Sequence, residues 1–197
     1  MPLKLNSSGG GSVTLDTPST ASTYTLTVPA ITGTAVVTGS SGTVSQGMLA
    51  SGVAGNGPAF SATLSANQTV TAATWTKGAF ATEEFDTNSN YDTTLYRFTP
   101  TVAGYYLVSG GCTGGGSVNT TWILSGIYKN GVAAKTGSGL NGVSTAYSSA
   151  SSNITALISM NGTTDYLEFY FYAAGSGTTT LNQSGGTFFQ ASLVRAA

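Results

Sequence analysis

The chain has 197 residues, of which only 7% are charged, with a formal net charge of -1 and no histidine. Against about 25% charge in an average soluble domain, this excludes a basic nucleic-acid-binding surface, because six Lys and Arg cannot neutralise a run of phosphates. It also excludes His-based triads, ordinary zinc catalysis and haem ligation, and an intrachain disulfide, because Cys112 is the one cysteine. Ten Tyr, eight Phe and two Trp argue against a disordered chain. No run of about 18 apolar residues exists to cross a membrane as a helix. Met1-Pro2-Leu3-Lys4-Leu5 passes directly into Asn6-Ser7-Ser8-Gly9 without an apolar signal-peptide core. The expectation is therefore a protein made and assembled in a cytoplasm. Near-zero net charge leaves little repulsion between copies, as in an assembly.

Residues 1–38 read as a polar arm rich in short strands. Val13-Thr14-Leu15-Asp16 and Tyr24-Thr25-Leu26-Thr27-Val28 alternate with a period of two, and Pro29 stops the second ladder. Residues 39–57 are a Gly/Ser-rich connector, with either a flexible linker or a short helical turn as its conformation. From residue 58 the texture is that of one all-β domain. Short β-branched or aromatic runs begin with Phe60-Ser61-Ala62. They continue through 75–84, 96–98, 105–108, 122–128, 154–160, 166–172 and 188–194, separated by turn signals. Asn130-Gly131, Asn141-Gly142 and Asn161-Gly162 are tight-turn dipeptides. About eight strands in one domain imply a sandwich or jelly roll.

The run Tyr166 to Tyr172 is the most informative. Leu167, Phe169 and Phe171 share a face that must be core, while Tyr166, Glu168, Tyr170 and Tyr172 share the other. Three tyrosines are too much apolar surface to leave in water on a monomer. Either a subunit contact at Tyr166, Tyr170 and Tyr172 or a covering segment of the same chain accounts for them, and the subunit contact is the expectation carried forward.

Two resemblances follow. The segment Phe80 to Val108 contains Phe85-Asp86, Tyr91-Asp92, Phe98-Thr99-Pro100, Gly104, Tyr106 and Val108. It resembles the globular head of the complement C-one-q and tumour necrosis factor superfamily, and the opening Ala59-Phe60-Ser61-Ala62 fits its first strand. Phe60, Phe85, Phe98, Gly104 and Tyr106 carry that motif, whereas the closing strand departs at Ala191 and Ser192. The resemblance implies an all-β jelly-roll sandwich over residues 58–197 that assembles as a homotrimer. The N-terminal block resembles the start of small fibre, spike or decoration proteins of tailed bacteriophages. It implies that the arm docks on capsid or tail proteins through Leu3, Leu5, Val13, Leu15, Tyr24, Leu26 and Val28, and that the protein sits on the particle exterior.

No catalytic residue, cofactor or metal site can be named. Glu83, Glu84, Asp86 and Asp92 concentrate carboxylates, but in no defined calcium-ligand spacing, and turn-forming roles explain them as well. Asp165 and Glu168 lack any sign of a cleft for glycoside hydrolysis. Trp122 and Tyr147 are candidates to stack on a host surface glycan. The expected function is a non-enzymatic virion protein, a trimeric capsid decoration or head fibre. The alternative is a short tail fibre acting as a receptor-binding adhesin, with no nucleic-acid partner and no membrane insertion.

Overall fold

The computed structural model describes residues 3–6, 8–15, 57–116, 120–139, 150–175 and 178–197. The expectations at Tyr24, Leu26, Val28, Asn141-Gly142, Tyr147 and most of the connector lie outside the described residues. The chain divides into two compact units, residues 1–43 and 44–197. In the first unit, β1 (Leu3–Asn6) and β2 (Ser12–Leu15) form an antiparallel hairpin that sets Leu3 opposite Leu15 and Leu5 opposite Val13.

The second unit is all-β among the described residues. Its strands are β3 (Ala59–Thr63), β4 (Gln68–Thr71), β5 (Thr76–Lys77), β6 (Thr82–Asp86), β7 (Tyr91–Asp92), β8 (Arg97–Phe98) and β9 (Gly104–Gly116). They continue with β10 (Thr120–Lys129), β11 (Val132–Thr136), β12 (Ala150–Met160), β13 (Leu167–Gly175), β14 (Thr178–Leu181) and β15 (Phe188–Ala196). One antiparallel sheet runs β11-β10-β13-β8-β7, with β5 also paired to β13. The other runs β4-β14-β9-β15-β3-β6, with β12 on the free side of β9.

Alternation places the core. On β13 the inward residues Leu167, Phe169 and Phe171 are buried, and on β9 Tyr106, Val108 and Cys112 are. The rings meet between the sheets. Phe60 stacks on Tyr91 and Phe98 at centroid distances of 4.6 and 4.5 Å and meets Phe189 edge-on at 4.9 Å. Phe189 lies 5.5 Å from Phe169 and 6.0 Å from Phe80. Buried polar tips are tethered: the Tyr91 hydroxyl donates to the Phe80 carbonyl at 2.9 Å, and the Tyr106 hydroxyl to the Val102 carbonyl at 2.8 Å.

Glycine makes this closeness possible. Gly110 is an inward position of β9, and a Cβ there would overlap the Phe169 ring. Asn130 and Gly131 have φ of 54° and 77°, so the expected tight turn joins β10 to β11 with both central residues left-handed. The single strand expected over 75–84 is two strands in different sheets, β5 and β6. The break falls at Gly78, where a Cβ would overlap the buried Phe80 ring, so the chain leaves one sheet and crosses to the other. Strands β4, β11 and β14 carry too few aromatic residues to stand out in the sequence and are fixed by pairing with neighbours.

Replacing Gly110 with Ala should lower unfolding stability by about 1–3 kcal/mol through displacement of the Phe169 ring; an unchanged urea midpoint would show that the ring has room. Burial pushes the Tyr106 phenol and the Cys112 thiol up to about 12, from ordinary values of 10.0 and 9.0. Their raised values favour the neutral forms in the folded state. That stability is full below the unfolded values and is lost as pH rises from about 9–10 through 12. The melting temperature should fall steeply over that window, and the Cys112→Ser and Tyr106→Phe variants should each flatten the fall.

Candidate functional site

The two outward sheet faces differ in chemistry. On the β13 sheet, Tyr166, Glu168, Tyr170 and Tyr172 point outward as the alternation requires. Glu168 is buried there and forms an ion pair with Lys77 of β5. The tyrosines are half-buried by the chain's own side chains. Tyr170 stacks on Tyr128 with centroids 4.0 Å apart, Trp75 lies 5.8 Å from Tyr128 and 5.4 Å from Tyr172, and Trp122 lies 6.5 Å from Tyr172. Gly126, opposite Tyr170 on β10, makes the seat for Trp75: a Cβ there would sit 2.9 Å from Trp75 Cζ3. Burial, the Glu168 charge and a hydrogen bond donated to Glu168 Oε2 at 3.3 Å push the Tyr170 phenol up to about 12. This face is thus a ribbon of rings, with Trp122 exposed at one end and Arg97 over the Tyr166 ring, 4.9 Å from its centroid, at the other.

Beyond Arg97 the ribbon meets a polar hollow of about 480 Å³ lined by residues of β7, β8 and their flanking turns, Ser89, Thr93, Thr99 and Arg97 among them. Asp92 and Arg97 are cross-strand partners on its floor. Ser89, which lines the hollow, and Tyr96, in the turn between β7 and β8, are non-glycine residues at positive φ, 53° and 51°.

The other outward face, on the β12-β9-β15-β3-β6 part of its sheet, exposes large apolar side chains among polar ones. Phe85 is 51% exposed, Tyr105 49%, Leu107 43% and Leu157 60%. Leu157 and Leu107 are directly opposed across β12 and β9. A shallow groove of about 200 Å³ separates Leu107 from Phe85. From β12 to β6 the stripe crosses four strand gaps, about 19 Å. Of the motif residues, Phe60, Phe98 and Tyr106 are core and Gly104 is held against the Arg195 carbonyl, but Phe85 points outward into this stripe. Sequence reasoning missed Tyr105, Leu107 and Leu157, although strict alternation along 105–108 and 154–160 marks them as facing away from the core.

The acidic cluster is taken up locally. Glu84 Oε2 accepts from the Ser61 hydroxyl at 2.6 Å, Asp86 accepts from the Asn88 and Tyr91 amides, and Asp92 Oδ1 accepts from Thr94 and Leu95. Among the described residues no three His, Cys, Asp or Glu side chains are grouped to hold a metal ion. Asp165 is held below the usual carboxylate range, first by the Lys129 ammonium and then by Asn130, which donates to it at 2.8 Å. Its ion pair with Lys129 closes at 2.7 Å. Asp165 and Glu168 are each committed to a lysine.

No family model matches the chain, and no curated protein does. Solved structures do. Murine APRIL at pH 5.0 aligns over 71% of this chain and 100% of its own with a TM-score of 0.52 and 11% identity. Eiger TNF from S. frugiperda aligns over 71% of this chain and 92% of its own, with a TM-score of 0.51 and 13% identity. At such identities the likeness concerns the path of the backbone and nothing chemical. The head of this protein is an all-β jelly roll of the tumour necrosis factor type.

Proposed function

We propose that this chain is a non-enzymatic structural protein whose jelly-roll head assembles as a homotrimer and is displayed on the outside of a tailed-phage particle, as a capsid decoration or head fibre. The observation that carries the self-association is the bare stripe of Phe85, Tyr105, Leu107 and Leu157. Tyr105, Leu107 and Leu157 adjoin across β9 and β12, with Phe85 beyond the groove, and exposed apolar side chains grouped on one sheet face mark an interaction surface. Each is already about half covered, so burying the remainder contributes roughly half of the 1.5–3 kcal/mol of full burial, in support of a contact between copies. Copies arranged around a threefold axis would each cover part of a neighbour's stripe.

The tyrosine face competes for the same role. Its rings are already packed on Trp75 and Tyr128, so a partner copy would gain less there than at Leu107 and Leu157. We therefore place the seam at Leu107 and Leu157 and keep Tyr166, Tyr170 and Tyr172 as the second site to be tested. The phage setting rests on the resemblance of the N-terminal block. The Leu3–Leu15 hairpin, with Leu5 exposed, is an extended apolar-bearing element of the kind that adds to a partner's surface. A short tail fibre that grips a host glycan is the second reading, favoured by the exposed Trp122.

Light scattering of the purified chain should give the mass of three copies, and a monomer would end the trimer reading. Leu107→Asp should convert trimer to monomer by placing a charge in an apolar contact, whereas Tyr170→Asp should leave the trimer intact; the opposite pattern would assign the seam to the tyrosine face. Removing residues 1–38 should abolish attachment to particles without changing the head's melting temperature. Tagged protein imaged on particles by electron microscopy should decorate the shell, and density confined to the tail tip would favour the adhesin.

A further inference from the structure

We propose that the hollow beside Arg97 is a binding subsite for a neutral saccharide, with a pair of neighbouring sugar hydroxyls bridged between the Arg97 guanidinium and Asp92 Oδ2. The site lies within one protomer and does not depend on the copy contact, though it supplies the ligand chemistry that the display reading leaves open.

The groups at the hollow are set for this task. Neither ion pair found among the described residues uses Arg97. Its guanidinium is held from one side by the Tyr166 ring, so its donors are oriented without being consumed. Asp92 Oδ1 is occupied by the Thr94 amide at 2.8 Å, the Thr94 hydroxyl at 2.6 Å and the Leu95 amide at 2.8 Å. Those bonds fix the carboxylate and leave Oδ2 as an acceptor. The hydroxyls of Ser89, Thr93 and Thr99 also line the hollow and make no hydrogen bond within the described residues. An acceptor, a forked donor and several hydroxyls around an open cup match a ligand that presents O–H groups on all its edges.

Other ligand classes fit less well. An anion is attracted by Arg97 but repelled by Asp92, and the two charges nearly cancel. A peptide anchor or an apolar cofactor needs an apolar pocket, and this lining is mostly polar. Six cations in the whole chain rule out a phosphate-tracking groove. The ring ribbon begins at Tyr166 and continues along β13 for about 20 Å to Tyr172, with Trp122 beside it. A longer saccharide leaving the hollow would therefore meet rings on which its apolar C–H faces can rest.

Saturation-transfer NMR of the full chain with methyl glucoside, galactoside and mannoside, and with methyl glucuronide as the charged control, tests the site. At least one neutral glycoside should bind with a dissociation constant on the order of 1 mM, and the matching oligosaccharide should bind more tightly. Arg97→Ala should weaken binding at least tenfold, and Arg97→Lys should not restore it, since a point charge lacks the fork. Thr99→Val provides a milder second variant and should also weaken binding, with the melting temperature unchanged. Trp122→Ala should weaken the oligosaccharide alone. Leu107→Asp should leave per-chain binding unaltered whatever its effect on assembly, so loss of assembly and loss of the sugar site are told apart. No transfer to any neutral glycoside, binding of the glucuronide only, or equal affinity in wild type, Arg97→Ala and Thr99→Val would overturn the proposal.

Discussion

Contact between the rings of two facing sheets is the constraint on which the head depends. Phe60, Phe80, Phe169 and Phe189 approach one another at centroid separations of 4.9–6.0 Å, so the sheets must stand close and every inward position must have the right volume. That is why glycine occurs inside strands. Gly110 yields its place to Phe169, and Gly78 lets the chain turn from one sheet to the other beside Phe80 and Phe171. A residue that weakens a strand by propensity is retained because a larger neighbour fills the gap it leaves.

With the interior satisfied, function is left to the two outward faces, and these solve the problem of exposed apolar surface differently. The β13 face covers itself: Trp75 folds over Gly126, Tyr128 stacks on Tyr170, and Lys77 pairs with the buried Glu168 carboxylate. The β9 face leaves Leu107 and Leu157 uncovered side by side. A self-covered aromatic face with a polar cup at its edge suits contact with small polar ligands. An exposed apolar patch suits another apolar surface. Assembly and recognition can thus occupy opposite sides of one sandwich without competing.

The low charge of the chain fits this division. Of the two ion pairs among the described residues, Lys77–Glu168 ties β5 to β13 and Lys129–Asp165 ties the end of β10 to the turn before β13. Asp86 and Asp92 cap turns by accepting from neighbouring backbone amides, and Glu84 accepts from the Ser61 hydroxyl of β3.

The periodicity of Tyr166–Tyr172 determined, from sequence alone, which of its residues enter the core, and the Asn130-Gly131 pair determined its turn, because both signals are local: pleat alternation and positive φ require no knowledge of what lies opposite. The class of fold was legible for the same reason, many short alternating runs with no helical period. What covers each outward face was not legible. The tyrosines looked bare because Trp75, some ninety residues away in the chain, packs on them only after β5 pairs with β13. Leu107 and Leu157, ordinary in the sequence, become a patch only when β9 and β12 align them. The hollow likewise needs Asp92 and Arg97 to be set opposite each other and Tyr166 to be brought beneath the guanidinium. Alternation fixes the side of a strand on which a residue lies; only long-range pairing decides what it meets there.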